Sequence, residues 1–493
     1  MFKRIISLML TVIFTFVITL GRIAYIMFSG EFTVSSTYNS YTLNIDKLNL
    51  TLYDCNLNKL TNNDIGYIAV IRPNEKCLNE LSLIFDKDEC KSIKDELSKG
   101  YPVLKKVEKN DYGCKYIQIE KIKIDNLKNT NVVIKELQNN FSDIVGEKTV
   151  NFAVNAKGRL LDGDDGEISN YNYDSSKGVI LTLDENLQKI VEECSVTINS
   201  GAVIVADVDT CNILACVSKS KDNLNHCELT YPVGSIFKTV VSICAIENSF
   251  DEVYECNGKI TVGDTTFTCQ KEKAHGKQNL KQGLANSCNC YFINCALKLG
   301  KEKIFETAKS LGFGEMIDIE SNIKLNGGYF PSINELKSKG ELALLGFGQG
   351  KLTDSPLHFI SVVCAIANGG IYNVPNFVLG SVDDNGGAFY NETELGKRVF
   401  KASTSYKLTE YMRFAVSDGT GRKADYNEKS AGKTSTAQTG KFIDENEIYD
   451  TWFVGFYPFD NPKYAVVILN ENGVSGSADC CPIFRSIVEK LYK

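Results

Sequence analysis

Residues 201–217 read GAVIVADVDTCNILACV, and this stretch decides the fold class. Gly201 to Asp207 and Ile213 to Val217 are apolar runs of strand length on either side of a short turn at Asp209-Thr210, which predicts a hairpin. A matching pair stands near the C-terminus, Trp452 to Tyr457 and Tyr464 to Leu469, joined through Asp460-Asn461-Pro462. The patterns between the two pairs are mainly helical. Antiparallel strands from both ends of a region, with helices between them, predict an α+β domain: an antiparallel sheet flanked by helices and closed where its first and last strands meet.

Outward from this core the texture changes near residue 179. Thr182 and Glu185 fit a capping box, with Leu183, Leu187, Ile190 and Val191 on one face of the helix that follows. Residues 31–178 are polar and rich in Asn and Lys. Short alternating stretches there, Tyr116 to Ile119 and Lys121 to Ile124, read as strands, so this part is expected to be a β-rich pedestal or dimerisation-like domain. Before it, Lys3 and Arg4 precede an apolar run that extends from Ile5 to Phe28, interrupted at Gly21-Arg22. Its 24 residues, at about 1.5 Å each, suffice for about 30 Å of hydrocarbon. A cleaved signal peptide is the alternative, but no small-x-small site follows the run. The expected division is therefore a cytoplasmic stub and single membrane anchor in 1–30, the pedestal in 31–178 and the α+β domain in 179–493. Lys3 and Arg4 place the N-terminus in the cytoplasm and the remainder outside the cell membrane.

Composition removes several function classes. At 493 residues with 43% hydrophobic and 23% charged side chains, the chain has ample material for a large core, which rules out global disorder. A net charge of −7 without a long basic run makes it a poor partner for phosphate backbones, so nucleic-acid binding drops out. Only His226, His275 and His358 are available for histidine chemistry, and no HExxH pair occurs. The 17 cysteines are odd in number and scattered, unlike a disulfide framework, and buried free thiols are the favoured reading. Cys256 and Cys269 flank a hairpin with Gly263-Asp264 at its tip and suit local packing or a staple. Zinc is disfavoured by the lack of any CxxC pair. A turn role is expected for His275, beside Gly276.

Three short motifs carry the chemistry. In Ser235-Ile236-Phe237-Lys238, the apolar run after the serine reads as a buried helix, so Ser235 and Lys238 share one face. A buried lysine loses its proton readily and becomes a base for a serine nucleophile. In Ser287-Cys288-Asn289, a hydroxyl two residues from a carboxamide suits proton relay and the holding of a peptide bond; helix capping is the plainer role. In Lys433-Thr434-Ser435-Thr436, a cation with hydroxyls on a strand edge suits a substrate carboxylate, although a surface lysine beside Ser and Thr has the same look.

In this order and spacing the three motifs resemble those of serine β-lactamases and penicillin-binding proteins. From about residue 179 to 490 the chain resembles the transpeptidase domain of class B, monofunctional penicillin-binding proteins. Supporting stretches include Tyr231-Pro232-Val233-Gly234, Gly346-Phe347-Gly348-Gln349-Gly350, Asp418-Gly419-Thr420-Gly421 and Trp452-Phe453-Val454-Gly455-Phe456. Arg22 and Tyr25 resemble the end of that family's anchor.

The resemblance implies a serine-type D-Ala-D-Ala transpeptidase. Ser235 would be acylated by peptidoglycan stem peptides or by β-lactams, with Lys238 taking its proton. Ser287 and Lys433 would relay a proton to the leaving amine while Asn289 holds the substrate backbone. Thr434, Ser435 and Thr436 would line the substrate site, Thr434 and Thr436 meeting the donor carboxylate, and the N–H groups of Ser235 and Thr436 would form the oxyanion hole. No metal or organic cofactor is implied. The implied partner is a polytopic glycosyltransferase of the shape, elongation, division and sporulation type.

Two departures stand out. Ser435 replaces the family's glycine on a strand that must approach substrate closely, which is expected to lower acylation or alter β-lactam affinity. The connection from Val217 to Tyr231 is also shorter than the family's. Alternative readings are a D,D-carboxypeptidase or β-lactamase, in which water resolves the acyl-enzyme, and a catalytically weak wall-synthesis scaffold or β-lactam sensor.

Overall fold

The computed structural model describes residues 2–28, 40–125, 132–155, 158–161, 163–319, 324–392, 396–443 and 445–492. The side chains of Lys3 and Arg4, and the junction at 29–39, lie outside the described residues. The chain forms two compact units, one of Met1–Leu48, Ile65–Lys123 and Val145–Asp174, the other of Asn49–Asp64, Ile124–Ile144 and Ser175–Lys493.

The first unit begins with the helix Phe2–Phe28, whose stretch Ile6–Tyr25 is long and apolar enough to cross a membrane. Two three-stranded sheets follow. One has the order Ser40–Asn49, Ile144–Ala153, Glu167–Tyr171, and the other Val103–Val107, Asp64–Ile71, Gln118–Ile124. Alternating residues divide the strand Asp64–Ile71 between two small cores. Ala69 and Ile71 pack with Cys77, Leu81 and Ile93, whereas Ile68 and Val70 pack with Ile45, Val150 and Phe152.

The second unit is built on one antiparallel sheet. Its strands are β1 (Gly201–Asp207), β2 (Ile213–Lys219), β3 (Ala431–Ile443), β4 (Asn446–Tyr457) and β5 (Tyr464–Gly473), in the order β2-β1-β5-β4-β3. The expected closure of the sheet occurs between β1 and β5, where Val205 faces Val466 and Val203 faces Ile468. The runs Gly201–Ala206 of β1, Trp452–Tyr457 of β4 and Tyr464–Leu469 of β5 are apolar without interruption because both faces are covered. Ala202, Ile204, Ala206, Trp452, Val454 and Val467 enter a core with the helices Lys238–Glu247 and Pro356–Ala367. Val203, Val205, Phe453, Val466 and Ile468 enter a second core with the helices Glu185–Cys194 and Gly476–Leu491.

One local expectation needs correction. The helix after residue 184 is capped by Asp184, which accepts from the N–H groups of Asn186 and Leu187, and not by Thr182. Thr182 is buried, and its hydroxyl donates to the carbonyls of Ile213 and Asn376 instead. A carboxylate closer to the first turn outcompetes the threonine as cap.

Candidate active site

Ser235 lies in a 3-10 turn, Gly234–Phe237, that runs directly into the helix Lys238–Glu247. Two contacts fix this turn. Trp452 of β4 donates its indole N–H to the carbonyl of Pro232 at 3.0 Å. On the other side Gly348, at φ +81°, lies so close that a Cβ there would sit 1.9 Å from the Gly234 carbonyl oxygen. Only glycine permits both that backbone angle and that approach.

Lys238 is wholly buried among polar partners. Its Nζ lies 2.9 Å from Ser235 Oγ, 2.9 Å from the Ser287 carbonyl, 3.1 Å from Ser287 Oγ and 2.7 Å from Asn289 Oδ1. Ser287 occupies the turn between the helices Leu280–Ala285 and Asn289–Leu299 with φ at +53°, a left-handed conformation that is strained for a residue with a side chain. That turn aims both its carbonyl and its hydroxyl at Lys238. Asn289 is oriented from its other end, where Nδ2 donates to the Thr268 carbonyl at 2.9 Å.

Lys433 of β3 reaches the same hydroxyl: its Nζ is 3.1 Å from Ser287 Oγ and 2.7 Å from the Thr434 carbonyl. It too is fully buried. Burial pushes Lys238 down to about 8 against the opposing pull of the thiols of Cys288, Cys269 and Cys290. Lys433 is pushed well below the ordinary lysine range, by burial first and by Lys238 second. Two amines sharing one hydroxyl titrate as a pair. A proton can pass between them through Ser287 Oγ, so the arrangement can both accept a proton from Ser235 and deliver one elsewhere.

The remaining expected residues line β3. Thr434 Oγ1 pairs with Thr420 Oγ1 at 2.6 Å. Ser435 is buried, and its Oγ accepts the Ser235 N–H at 2.7 Å. Thr436 points elsewhere: its Oγ1 accepts the Gly476 N–H at 3.4 Å. Ser235, Lys238, Ser287, Asn289, Lys433 and Ser435 thus form one bonded network, and Thr434 adjoins it through its carbonyl.

The family described as penicillin binding protein transpeptidase domain matches residues 201–489, which include every one of these side chains. The chain belongs to this family. Similar curated relatives include stage V sporulation protein D of Bacillus subtilis (strain 168), 31% identical over 254 residues, covering 49% of this chain and 38% of that protein. Peptidoglycan D,D-transpeptidase MrdA of Haemophilus influenzae is 27% identical over 371 residues, covering 64% of this chain and 56% of that one. The match therefore spans little more than half of these relatives' length at most. Penicillin-binding protein A from Mycobacterium tuberculosis, solved as a ceftriaxone acyl-enzyme complex, shares the fold with a TM-score of 0.59 and 21% identity, over 64% of this chain and 80% of that one.

Two members of this network of side chains and carbonyls escaped sequence reading. Thr420 stands in Asp418-Gly419-Thr420-Gly421, a stretch that carries the family resemblance, so its signal was present without a role attached. Thr268 acts through its carbonyl, and a backbone acceptor leaves no mark on a sequence.

Proposed function

We propose that this protein is a membrane-anchored peptidoglycan D,D-transpeptidase working through a serine acyl-enzyme. The observation that carries the reading is the position of the buried Lys238 amine between Ser235 Oγ, Ser287 Oγ and Asn289 Oδ1. With Lys238 neutral, Ser235 Oγ attacks the penultimate D-alanine carbonyl of a stem peptide while its proton moves to Nζ. The Thr436 N–H and the Ser235 N–H, the latter released from Ser435 Oγ as charge builds, hold the resulting oxyanion. The C–N bond to the terminal D-alanine then breaks, and that amine takes a proton relayed by Ser287 and Lys433. Attack by an amine of a neighbouring stem on the ester releases Ser235 and forms the cross-link. Asn289 holds the donor backbone, while Thr434 and Ser435 line the side that receives its carboxylate and Thr436, its hydroxyl engaged by the Gly476 N–H, contributes its backbone. A β-lactam enters the same first step and remains on Ser235; the mycobacterial penicillin-binding protein A was itself solved as a ceftriaxone acyl-enzyme.

In this reading residues 1–30 are the stub and anchor, 31–178 the pedestal and 179–493 the catalytic domain. Lys3 and Arg4 keep the N-terminus in the cytoplasm, and the site faces outward. The partner is a polytopic glycosyltransferase that supplies the glycan strands.

The test is intact-mass measurement of the purified protein after exposure to a penicillin, with Ser235→Ala as control. A stable 1:1 adduct on the wild type, lost in the variant, supports the transpeptidase. Drug hydrolysis without accumulation would replace it by a lactamase. A catalytically weak scaffold is the second reading, favoured by one contact: Ser435 Oγ already accepts the N–H that an oxyanion needs. Neither adduct nor turnover, with no reaction on a stem-peptide ester, would select the scaffold.

A further inference from the structure

Beside the Ser287 turn lies a cluster that the acyl-transfer scheme does not use. Cys256 ends the strand Tyr254–Cys256, and His275 precedes its partner Gly276–Gln278. Cys269 follows the hairpin formed by Lys259–Val262 and Thr265–Thr268, and Cys288 caps the helix Asn289–Leu299. The four ligand atoms all lie within 4.8 Å of one another, and the three thiols are buried. Cys256 Sγ is 3.8 Å from Cys269 Sγ, Cys269 Sγ is 3.8 Å from Cys288 Sγ, and Cys256 Sγ is 3.5 Å from His275 Nδ1.

These three separations, of the six among four atoms, match a tetrahedral ion. Zn–S bonds of about 2.3 Å and Zn–N bonds of about 2.0–2.1 Å, at tetrahedral angles, put sulfurs about 3.8 Å apart and sulfur about 3.6 Å from nitrogen. Backbone donors already point at two of the sulfurs: Gly258 N–H to Cys256 Sγ and Tyr291 N–H to Cys288 Sγ, each at 3.4 Å. Such donors stabilise metal-bound thiolates. The usual zinc signature is missing because the ligands come from separate segments and not from CxxC pairs.

We propose that Cys256, Cys269, Cys288 and His275 bind one zinc ion, which clamps the turn bearing Ser287 and Asn289 against Lys238. Binding releases the three thiol protons and leaves a closed, four-ligand site of the structural type. The clamp acts at two points of the network. Cys288 stands between Ser287 and Asn289, and Cys269 follows Thr268, whose carbonyl orients the Asn289 amide. Cys290, with its sulfur 3.5 Å from Cys269 Sγ, stays outside the ligand set. The zinc ligands are thus positioning residues, and their effect on acylation rests on the transpeptidase reading, whereas metal content does not.

The test uses full-length protein in detergent, expressed with zinc and purified without chelator. Elemental mass spectrometry should find about one zinc per chain, as a closed structural site requires. Cobalt exchanged into the wild-type protein should give a thiolate-to-metal charge-transfer band and the strong visible absorption of a tetrahedral site, a readout that needs no variant to fold. Zinc should fall about tenfold or more in Cys269→Ser and Cys288→Ser and stay stoichiometric in Cys194→Ser, Cys290→Ser and Ser235→Ala. Stripping zinc should slow penicillin acylation of the wild type, and zinc alone should restore it. Metal-free protein with a Cys256–Cys269 disulfide by intact mass would overturn the site. Zinc kept in His275→Ala but lost in Cys290→Ser would overturn the ligand set. Stoichiometric zinc whose removal leaves acylation unchanged would overturn the clamp, and Ser235→Ala with zinc but no adduct separates either failure from that of the transpeptidase.

Discussion

Two pairs of ionisable groups are buried in the same α+β unit, and they are built on opposite principles. Asp354 and His358 lie one turn apart at the start of the helix Pro356–Ala367, both fully buried. Nδ1 of the histidine is 2.7 and 2.8 Å from the two carboxylate oxygens, Nε2 is 2.9 Å from the Leu311 carbonyl, and Asp354 also accepts the Ser355 N–H. Every polar atom there meets its complement. Lys238 and Lys433 are equally buried, yet they face each other across a hydroxyl, and among the described residues no carboxylate is a hydrogen-bond partner of either amine. Opposite partners make a buried pair a structural rivet. Like partners leave it short of a proton, which is a reactive state.

The largest expected effect sharpens that contrast. Lys238→Met should slow penicillin acylation by about 10²–10⁴-fold, the usual contribution of a general base, while leaving the unfolding midpoint unchanged or raised. If the variant unfolds as readily as a broken ion pair, the contrast collapses. The converse substitution, Asp354→Ala, should cost about 3–5 kcal/mol in denaturant unfolding by stranding His358, with the acylation rate of the folded fraction retained.

The pH profile divides the pairs again. Lys238 is pushed down, so its basic form grows as pH rises. The acylation rate should climb about tenfold per unit below a midpoint near pH 8 and level above it. A flat profile in stopped-flow measurements from pH 6 to 9, a window set on the order of one lysine titration, would mean that Lys238 does not gate the step. The smallest effect concerns the hydroxyl beside the nucleophile. Ser435→Gly should free the Ser235 N–H and raise the acylation rate by about five-fold, a fraction of what a whole oxyanion donor is worth. A fall in rate would show that Ser435 supports the site.

How far the sequence reveals this design depends on the distance over which each signal acts. The hairpin β1–β2, the return pair β4–β5 and the helix after Ser235 follow from local apolar runs, and all are present. Motif order placed Ser235, Lys238, Ser287, Asn289 and Lys433 in one set because each carries its own chemical type. Orientation was harder. Thr436 turns its hydroxyl to Gly476, and Ser435 spends its own on Ser235, choices fixed by neighbours from other segments. The thiols around Cys269 come together from turns, a strand end and a helix cap, a convergence that no spacing rule encodes. Likewise, the short strand Thr51–Tyr53 pairs in parallel with Gly178–Leu181, and nothing in its three residues announces a partner so far along the chain.

The pairing of β1 with β5 has a further consequence, in time. Gly201 leaves the ribosome roughly 260 residues ahead of the strand that will cover its open edge. At about 5–20 residues per second this is a wait on the order of 15–50 s. Throughout it the hairpin Gly201–Lys219, apolar on both faces, has an unpaired edge exposed to other chains. Such a protein is most vulnerable while it is being made. Loss of even its last two strands would leave the first two permanently in that unfinished condition, which makes the C-terminal end a checkpoint for the fold as a whole.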